Sequence, residues 1–194
     1  MDKLTARSTV TEQFAHGKPF PVTEPGFQLS ELPLHGIIRV QGDAKNPAFQ
    51  AALRTAHGME LPAAERVSEV GEARLAWAGP NEWLYFCSLE TEDESFAALK
   101  RALADHFATV TCISDSRVSF IVTGPDAPDF LSKGCGIDLC STLFRPGRVV
   151  TARFAGLPAM LMRRSEVVYV IYFDVGSAAY VLEWMLDAVD EFRA

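Results

Sequence analysis

The sequence predicts an α+β protein made of two pseudo-symmetric β-α-β-β-α halves. The main observation is an internal repeat: residues 36–43 and 118–126 are both apolar, strand-like runs that end in glycine and an acidic residue. The two glycines, Gly42 and Gly124, lie 82 positions apart. A period present in only two copies indicates a duplicated globular domain rather than a solenoid.

A second observation supports the same spacing. The helical stretches that begin near Ser95 and Ser177 are also 82 positions apart. We therefore expect an extended N-terminal tail at residues 1–35, a first half-repeat at 36–110 and a second at 111–194. At 194 residues the two halves are expected to form one integrated globular unit.

The first half contains each element of the repeat. Asn46 followed by Pro47 is typical of a helix N-terminus, and Gly58 is typical of a helix end. Strands on either side of a Gly-Pro-Asn-Glu turn predict a hairpin. The predicted strands are residues 37–40, 72–78 and 83–87, and the closing helix is predicted to have an apolar face of Phe96, Leu99, Leu103 and Phe107.

The second half repeats this order with one further strand. Helices that pack on antiparallel strands are the arrangement of an α+β protein. The predicted elements are a strand at 118–122, a short helix at 126–133, strands at 149–154, 159–163 and 167–173, and a last helix with Tyr180, Leu182, Trp184, Met185, Val189 and Phe192 on its apolar side.

The N-terminal tail combines a Pro- and Gly-rich segment at 17–26 with the apolar residues Phe14, Phe20, Phe27 and Leu29. A solvated tail would contain fewer aromatic residues. We expect it to lie along a groove, on this chain or on a neighbour. Removal of residues 1–30 is then expected to leave the domain folded and to weaken assembly.

Composition excludes several classes of function. The formal net charge of −7 argues against a nucleic-acid-binding protein. No segment approaches the roughly 20 apolar residues of a membrane span, and no secretory signal is visible, so we expect a cytoplasmic protein. One stretch is basic, and we interpret its arginines as solvated strand ends and partner contacts in preference to a phosphate site. They are Arg145, Arg148, Arg153, Arg163 and Arg164.

The residue types that perform chemistry form no recognisable motif. Nucleotide-binding glycine loops and hydrolase nucleophile motifs are absent. His57 and His106 are expected at helix C-termini, where a cation interacts favourably with the helix dipole. Cys135 and Cys140 could reach one metal, but no histidine lies nearby in the sequence, and we expect free thiols instead.

Several segments resemble a known family. Ser-Arg-Val-Ser-Phe-Ile-Val-Thr-Gly-Pro-Asp-Ala at 116–127, followed by Phe130 and Leu131, is similar to the opening motif of the aminomethyltransferase-type folate-binding superfamily. The segments at 77–84, 133–139, 144–148, 152–153 and 183–188 extend the similarity over most of the chain. Together they resemble the gamma subunits of heterotetrameric sarcosine oxidases, and this resemblance implies a folate-binding aminomethyltransferase-like fold.

The resemblance also implies partners and cofactors. The complex would contain alpha, beta and delta subunits and would demethylate sarcosine oxidatively to glycine. FAD, covalent FMN, NAD and tetrahydrofolate would belong to the two large subunits and zinc to the delta subunit. None of these cofactors would be bound by this chain, and self-association of the isolated chain would substitute for missing partners.

In the superfamily, a catalytic aspartate follows the strand after the Pro-Gly turn. The corresponding stretch at residues 151–160 contains no carboxylate. We therefore assign no catalytic, cofactor-binding or metal-binding residue to this chain, which is expected to be an enzyme subunit without an active site of its own. A stand-alone tetrahydrofolate-binding module is the main alternative, and a catalytic one-carbon transferase is a weaker one.

Overall fold

The computed structural model describes residues 8–10 and 15–193, so Phe14 of the expected tail lies outside the described residues. Over these residues the fold is mixed, with four α-helices and two antiparallel sheets. The strands are β1 (Val22–Glu24), β2 (Phe27–Glu31), β3 (Gly36–Gly42), β4 (Val67–Val70), β5 (Ala73–Gly79), β6 (Glu82–Cys87), β7 (Ala108–Cys112), β8 (Arg117–Thr123), β9 (Val149–Phe154), β10 (Leu157–Ser165) and β11 (Val168–Asp174). The helices are α1 (Pro47–His57), α2 (Glu92–Ala102), α3 (Ala127–Gly134) and α4 (Ala178–Val189).

The chain divides into two compact units. Unit 1 consists of Met1–Leu34, Ser116–Pro146 and Thr151–Ala194, and unit 2 of His35–Asp115 and Gly147–Val150. The six-stranded sheet has the order β1-β2-β8-β11-β10-β9, and the five-stranded sheet has the order β4-β5-β6-β3-β7.

Helix α1 of unit 2 has the ends that its sequence predicts. The Asn46 side chain accepts a hydrogen bond from the Ala48 N–H at 2.9 Å, and Pro47 occupies the first turn. Gly58 ends the helix in the left-handed conformation, with φ of 68°. Phe49 and Leu53 on the inner face are buried in the core of this unit.

The predicted hairpin of unit 2 is confirmed. Strands β5 and β6 pair in an antiparallel register that places Trp77 opposite Trp83, and Asn81 in the turn has φ of 60°. Asparagine tolerates this conformation better than most residues. The side chain of Trp83 is almost completely buried, and it packs at 5.7 Å from the ring of Phe49.

The closing helix of the first half is shorter than we expected. Helix α2 ends at Ala102, and the next residue, Leu103, is buried in the core of unit 2. Phe107 was expected on the apolar face, and this prediction is wrong: the residue lies beyond the helix, and its side chain is fully exposed at 102%. On α4, Tyr180 was also expected on the apolar side, but it is half-exposed at 51%.

The expected tail contributes two strands to unit 1. Strand β2 pairs antiparallel with β8, with Leu29 opposite Val122. Phe27 and Leu29 are buried, and the Phe27 ring lies 4.7 Å from the ring of Phe130 on α3. Residues 22–24 and 27–31 of the expected tail therefore lie in this chain's own sheet. These contacts argue against the expectation that removal of residues 1–30 leaves the domain folded.

Candidate functional site

The stretch that corresponds to the superfamily's catalytic position forms the end of β9, a tight turn and the start of β10. Ala155 and Gly156 in the turn have φ of 50° and 82°. Arg153 Nη1 donates to the Gly156 carbonyl at 2.6 Å, and the Tyr180 hydroxyl donates to the Ala155 carbonyl at 3.1 Å. The nearby polar side chains therefore hold the backbone of the turn. They do not fit general acid or base chemistry, because no carboxylate is available in the stretch.

Unit 2 contains a cavity of about 400 Å³ beside α1, α2 and the β5–β6 hairpin. The His57 ring stacks on Tyr85, with ring centroids 4.3 Å apart and planes at 29°. Exposed carboxylates of Glu72 and Glu94 also line this cavity. The other lining residues are Ala56, Val70, Ala73, Cys87, Ser88, Thr91, Ser95 and Ala98.

The titratable groups on the inner side of this cavity are held in their neutral forms. Burial lowers the pKa of His57 below its usual 6.5 and raises the pKa of the Tyr85 hydroxyl. Burial also raises the pKa of the Cys87 thiol. His57 lies in the last turn of α1, as expected, but burial there disfavours its charged form. A neutral thiol and a neutral imidazole give this cavity hydrogen-bonding capacity but no activated nucleophile.

All four cysteines are free thiols. Burial raises the pKa of Cys135, whose Sγ donates to the Leu131 carbonyl at 3.3 Å. Cys140 is exposed, and its pKa lies below the usual value because Thr142 forms a hydrogen bond with the thiol. Across residues 8–10 and 15–193, no group of three or more His, Cys, Asp or Glu side chains is arranged to hold a metal ion.

The basic stretch contains one arginine that sequence reasoning misplaced. Arg163 was expected at a solvated strand end, but its side chain is only 3% exposed. Its guanidinium donates to the carbonyls of Phe144 at 2.6 Å and Ser165 at 3.2 Å. Residues 159–163 of β10 are all buried, so both faces of the strand are covered and alternation along the sequence gave no signal for the burial of Arg163.

The remaining arginines of the stretch bind protein atoms at or near the surface. Arg148 forms an ion pair with Glu65, and Arg145 Nε donates to the Thr142 carbonyl at 2.9 Å. Arg164 Nη2 donates to the Tyr172 hydroxyl at 3.3 Å.

No helix in the described part of the chain is long and apolar enough to cross a membrane.

Comparison with known proteins identifies the family. The model of the "Sarcosine oxidase, gamma subunit family" matches residues 41–191. The chain belongs to the sarcosine oxidase gamma subunit family. The sarcosine oxidase subunit gamma of Corynebacterium sp. (strain U-96) is 32% identical over 146 residues, which cover 74% of this chain and 70% of that protein. The family expected from the sequence motifs is thereby confirmed.

Solved structures agree with this assignment. A chain of the heterotetrameric sarcosine oxidase from Corynebacterium sp. U-96, in complex with pyrrole 2-carboxylate, superposes with a TM-score of 0.86 at 25% identity over 97% of both chains. The glycine cleavage system aminomethyltransferase T from Bartonella henselae has a TM-score of 0.61 at 15% identity, covering 84% of this chain and 46% of that one. The second match shows the aminomethyltransferase-like fold. The alternative of a stand-alone tetrahydrofolate-binding module is not favoured.

Proposed function

We propose that this chain is the gamma subunit of a heterotetrameric sarcosine oxidase, and that it supports assembly of the complex without an active site of its own. The observation on which the proposal chiefly rests is the family match over residues 41–191. Two features of the molecule support the non-catalytic role. The stretch at 151–160 has no carboxylate, and burial keeps the Cys87 thiol that lines the unit 2 cavity in its neutral, weakly nucleophilic form.

The proposal includes the rest of the complex. Its partners would be alpha, beta and delta subunits, and the complex would convert sarcosine to glycine by oxidative demethylation. FAD, FMN, NAD, tetrahydrofolate and zinc would be bound by the partner subunits. The compartment would be the cytoplasm, which is supported by the four unpaired cysteines, since reducing compartments keep thiols free.

We also propose that the two units are halves of an ancient duplication, as the repeat in the sequence suggests. The strand orders support this. When the six-stranded sheet is written as β9-β10-β11-β8-β2-β1, its first five strands correspond position by position to β4-β5-β6-β3-β7. In each unit a helix follows the fourth strand of this order, α1 after β3 and α3 after β8.

The test is co-expression of this chain, tagged, with the genes adjacent to its own. We expect a yellow complex on affinity purification, with two large subunits and one small one by mass spectrometry and with flavin absorbance. The matched control omits only this chain and purifies through a tag on one large subunit. Loss of the assembled complex in that control supports the assembly role. A complex that forms and turns over equally well without this chain would contradict it.

A further inference from the structure

Strand β7 forms one edge of the five-stranded sheet, and no described strand pairs with its outer side. Its inner side pairs with β3 in a regular antiparallel register. The Ile113 N–H continues this ladder by donating to the Ile37 carbonyl at 2.8 Å. Hydrogen-bonded pairs alternate along an antiparallel ladder, so the odd-numbered residues of β7 bond to β3. The N–H and C=O groups of Val110 and Cys112 therefore point outward, where they are available to another strand.

This edge lacks the protection that other edges of the molecule have. Exposed edges are normally blocked by prolines, charges, bulges or a covering segment, because they can pair with another chain. The opposite edge of the same sheet is partly covered, since the Val67 N–H of β4 donates to the Gly147 carbonyl at 3.2 Å. In unit 1, the edge strand β1 has only three residues and lies between Pro21 and Pro25. Strand β7 has five residues, none of them charged or proline, and its register has no bulge.

Unit 1 shows what kind of strand fits at such an edge. The strand orders of the two sheets correspond when they are read from β4 and from β9, and in this correspondence β7 takes the place of β2. The outer side of β2 is occupied by β1, which pairs antiparallel with it and places Val22 opposite Leu29. Val22 is buried there. The five-stranded sheet has no sixth strand among the described residues, so the corresponding position beside β7 is open to a short antiparallel strand with an apolar side chain.

The surface at the two ends of β7 indicates the chemistry of the occupant. Within residues 103–116, apart from His106, the charged side chains are those of Asp105 and Asp115, one on each side of the strand. Both are exposed. The fully exposed Phe107 lies immediately before the strand. Complementary charge favours a partner with basic residues, and Phe107 offers an apolar contact.

We propose that the outer edge of β7 binds an extended segment of a partner subunit, which joins the five-stranded sheet as an antiparallel sixth strand. The segment would place an apolar side chain beside Phe107 and Lys or Arg residues near Asp105 and Asp115. Main-chain hydrogen bonds to Val110 and Cys112 would supply affinity, and the side-chain contacts would supply specificity. This inference rests on the proposed function, because it takes the occupant from the same complex.

The first test is residue-resolved hydrogen–deuterium exchange of the dilute isolated chain and of the co-expressed complex. The amides of Thr109 and Thr111 bond to β3 and should exchange slowly in both samples. The amides of Val110 and Cys112 should exchange at least about tenfold more slowly in the complex than in the isolated chain, because they gain acceptors on the added strand. Unchanged exchange at both amides in an assembled complex would overturn this inference and leave the proposed function standing. Failure to obtain any complex would overturn both.

The second test removes an outward donor. Val110→Pro deletes an N–H that has no partner among the described residues, and proline is tolerated on edge strands where the N–H faces solvent. Val110→Thr is the matched control, because it keeps both the N–H and the β-branched shape. We expect Val110→Pro to compete at least about tenfold less well than Val110→Thr for limiting partner subunits. Equal incorporation of the two variants would overturn the inference. Urea denaturation of both isolated chains checks that each is folded, and the exchange experiment decides if Val110→Pro is not.

A second copy of this chain is the other possible occupant, and native mass spectrometry of the purified complex distinguishes the two. We expect one copy of this chain in each complex. Two copies that Val110→Pro separates would make a second β7 the added strand and would overturn the assignment to a partner subunit.

Discussion

Gly124 illustrates how a single missing side chain allows two backbone segments to meet in unit 1. Its φ is 115°, and a Cβ at this position would lie 2.2 Å from the Gly26 carbonyl oxygen. Its N–H donates to the Val167 carbonyl at 3.0 Å, so the backbone cannot easily move away. The glycine of the repeat motif is therefore required by close packing of the chain as well as by its backbone angle.

We predict that Gly124→Ala lowers the free energy of unfolding by about 2 kcal/mol or more, because the new methyl group meets a backbone atom and the conformation disfavours L-residues. Urea denaturation followed by circular dichroism measures this effect. Gly136→Ala is the control, since a Cβ there meets no heavy atom within 4 Å. Equal stability of the two variants would show that the close approach at Gly124 is relieved at little cost.

His57 should make unit 2 less stable in mild acid. Its pKa is lowered by burial, so the unfolded chain, with a pKa near 6.5, binds a proton more readily than the folded chain. The stabilisation is therefore fully present above pH 6.5 and is lost as the pH falls from 6.5 toward the lower folded pKa. We predict that His57→Gln flattens the decrease in the free energy of unfolding below pH 6.5, measured by urea titrations at successive pH values. An unchanged slope would exclude His57 as the cause.

Arg163 donates from a buried guanidinium to the backbone carbonyls of Phe144, Ser165 and Glu166. We predict that Arg163→Met lowers the free energy of unfolding by about 2–4 kcal/mol, because the buried Phe144 carbonyl loses the hydrogen bond from Nη1 and the guanidinium contacts to Ser165 and Glu166 are removed. Arg145→Met serves as the control in the same denaturation experiment. It removes an exposed arginine with one carbonyl contact, and it should cost less than about 1 kcal/mol. Similar costs for the two variants would contradict a special role of the buried guanidinium.

At the scale of elements, residues 27–31 were expected in an extended tail, but they form strand β2 of the six-stranded sheet. Leu29 is 0% exposed, whereas Gln28, its neighbour on the opposite face of the strand, is exposed. We predict that Leu29→Ala costs about 2–5 kcal/mol of unfolding free energy and that Gln28→Ala costs less than about 1 kcal/mol. Thermal or urea unfolding compares them. A small cost for Leu29→Ala would restore the interpretation of this segment as a dispensable tail.

Sequence patterns located the elements that have strong local signals. The caps of α1 and the turn of the β5–β6 hairpin have specific residue requirements, and both lie where they were expected. Strands β2 and β7 were missed for a different reason. They are short segments, and their pairing with β8 and β3 depends on residues distant in sequence. Local periodicity does not contain that information.

The same distinction applies to the candidate sites. The absence of a carboxylate at 151–160 could be established from the sequence alone, because it depends only on which residues are present. The unit 2 cavity that His57 and Tyr85 line could not, since it is formed by α1, α2 and strands β5 and β6, which are distant in sequence. A site that is formed by residues distant in sequence can be identified only from the folded structure.

At the scale of the whole molecule, an assembly subunit should display apolar side chains that its own fold does not bury. Phe107 is such a residue, since it is fully exposed and lines a cavity of about 470 Å³ in unit 2 with His106 and Asn81. Single exposed apolar residues are common, but a fully solvated phenylalanine loses the benefit of burial in the isolated chain. Under the proposed function, that side chain contacts a partner subunit.

We predict that Phe107→Ser weakens assembly by at least about tenfold and leaves the stability of the isolated chain unchanged, because aromatic anchors dominate interface energies whereas an exposed side chain contributes little to folding. Competition between tagged wild-type and variant chains for limiting partner subunits measures the first effect, and urea denaturation measures the second. Asp105→Ser, an exposed polar position two residues earlier, is the matched control and should assemble normally. Equal incorporation of Phe107→Ser and wild type would place the interface on another surface of the chain, while a loss of stability would show that Phe107 packs within its own unit.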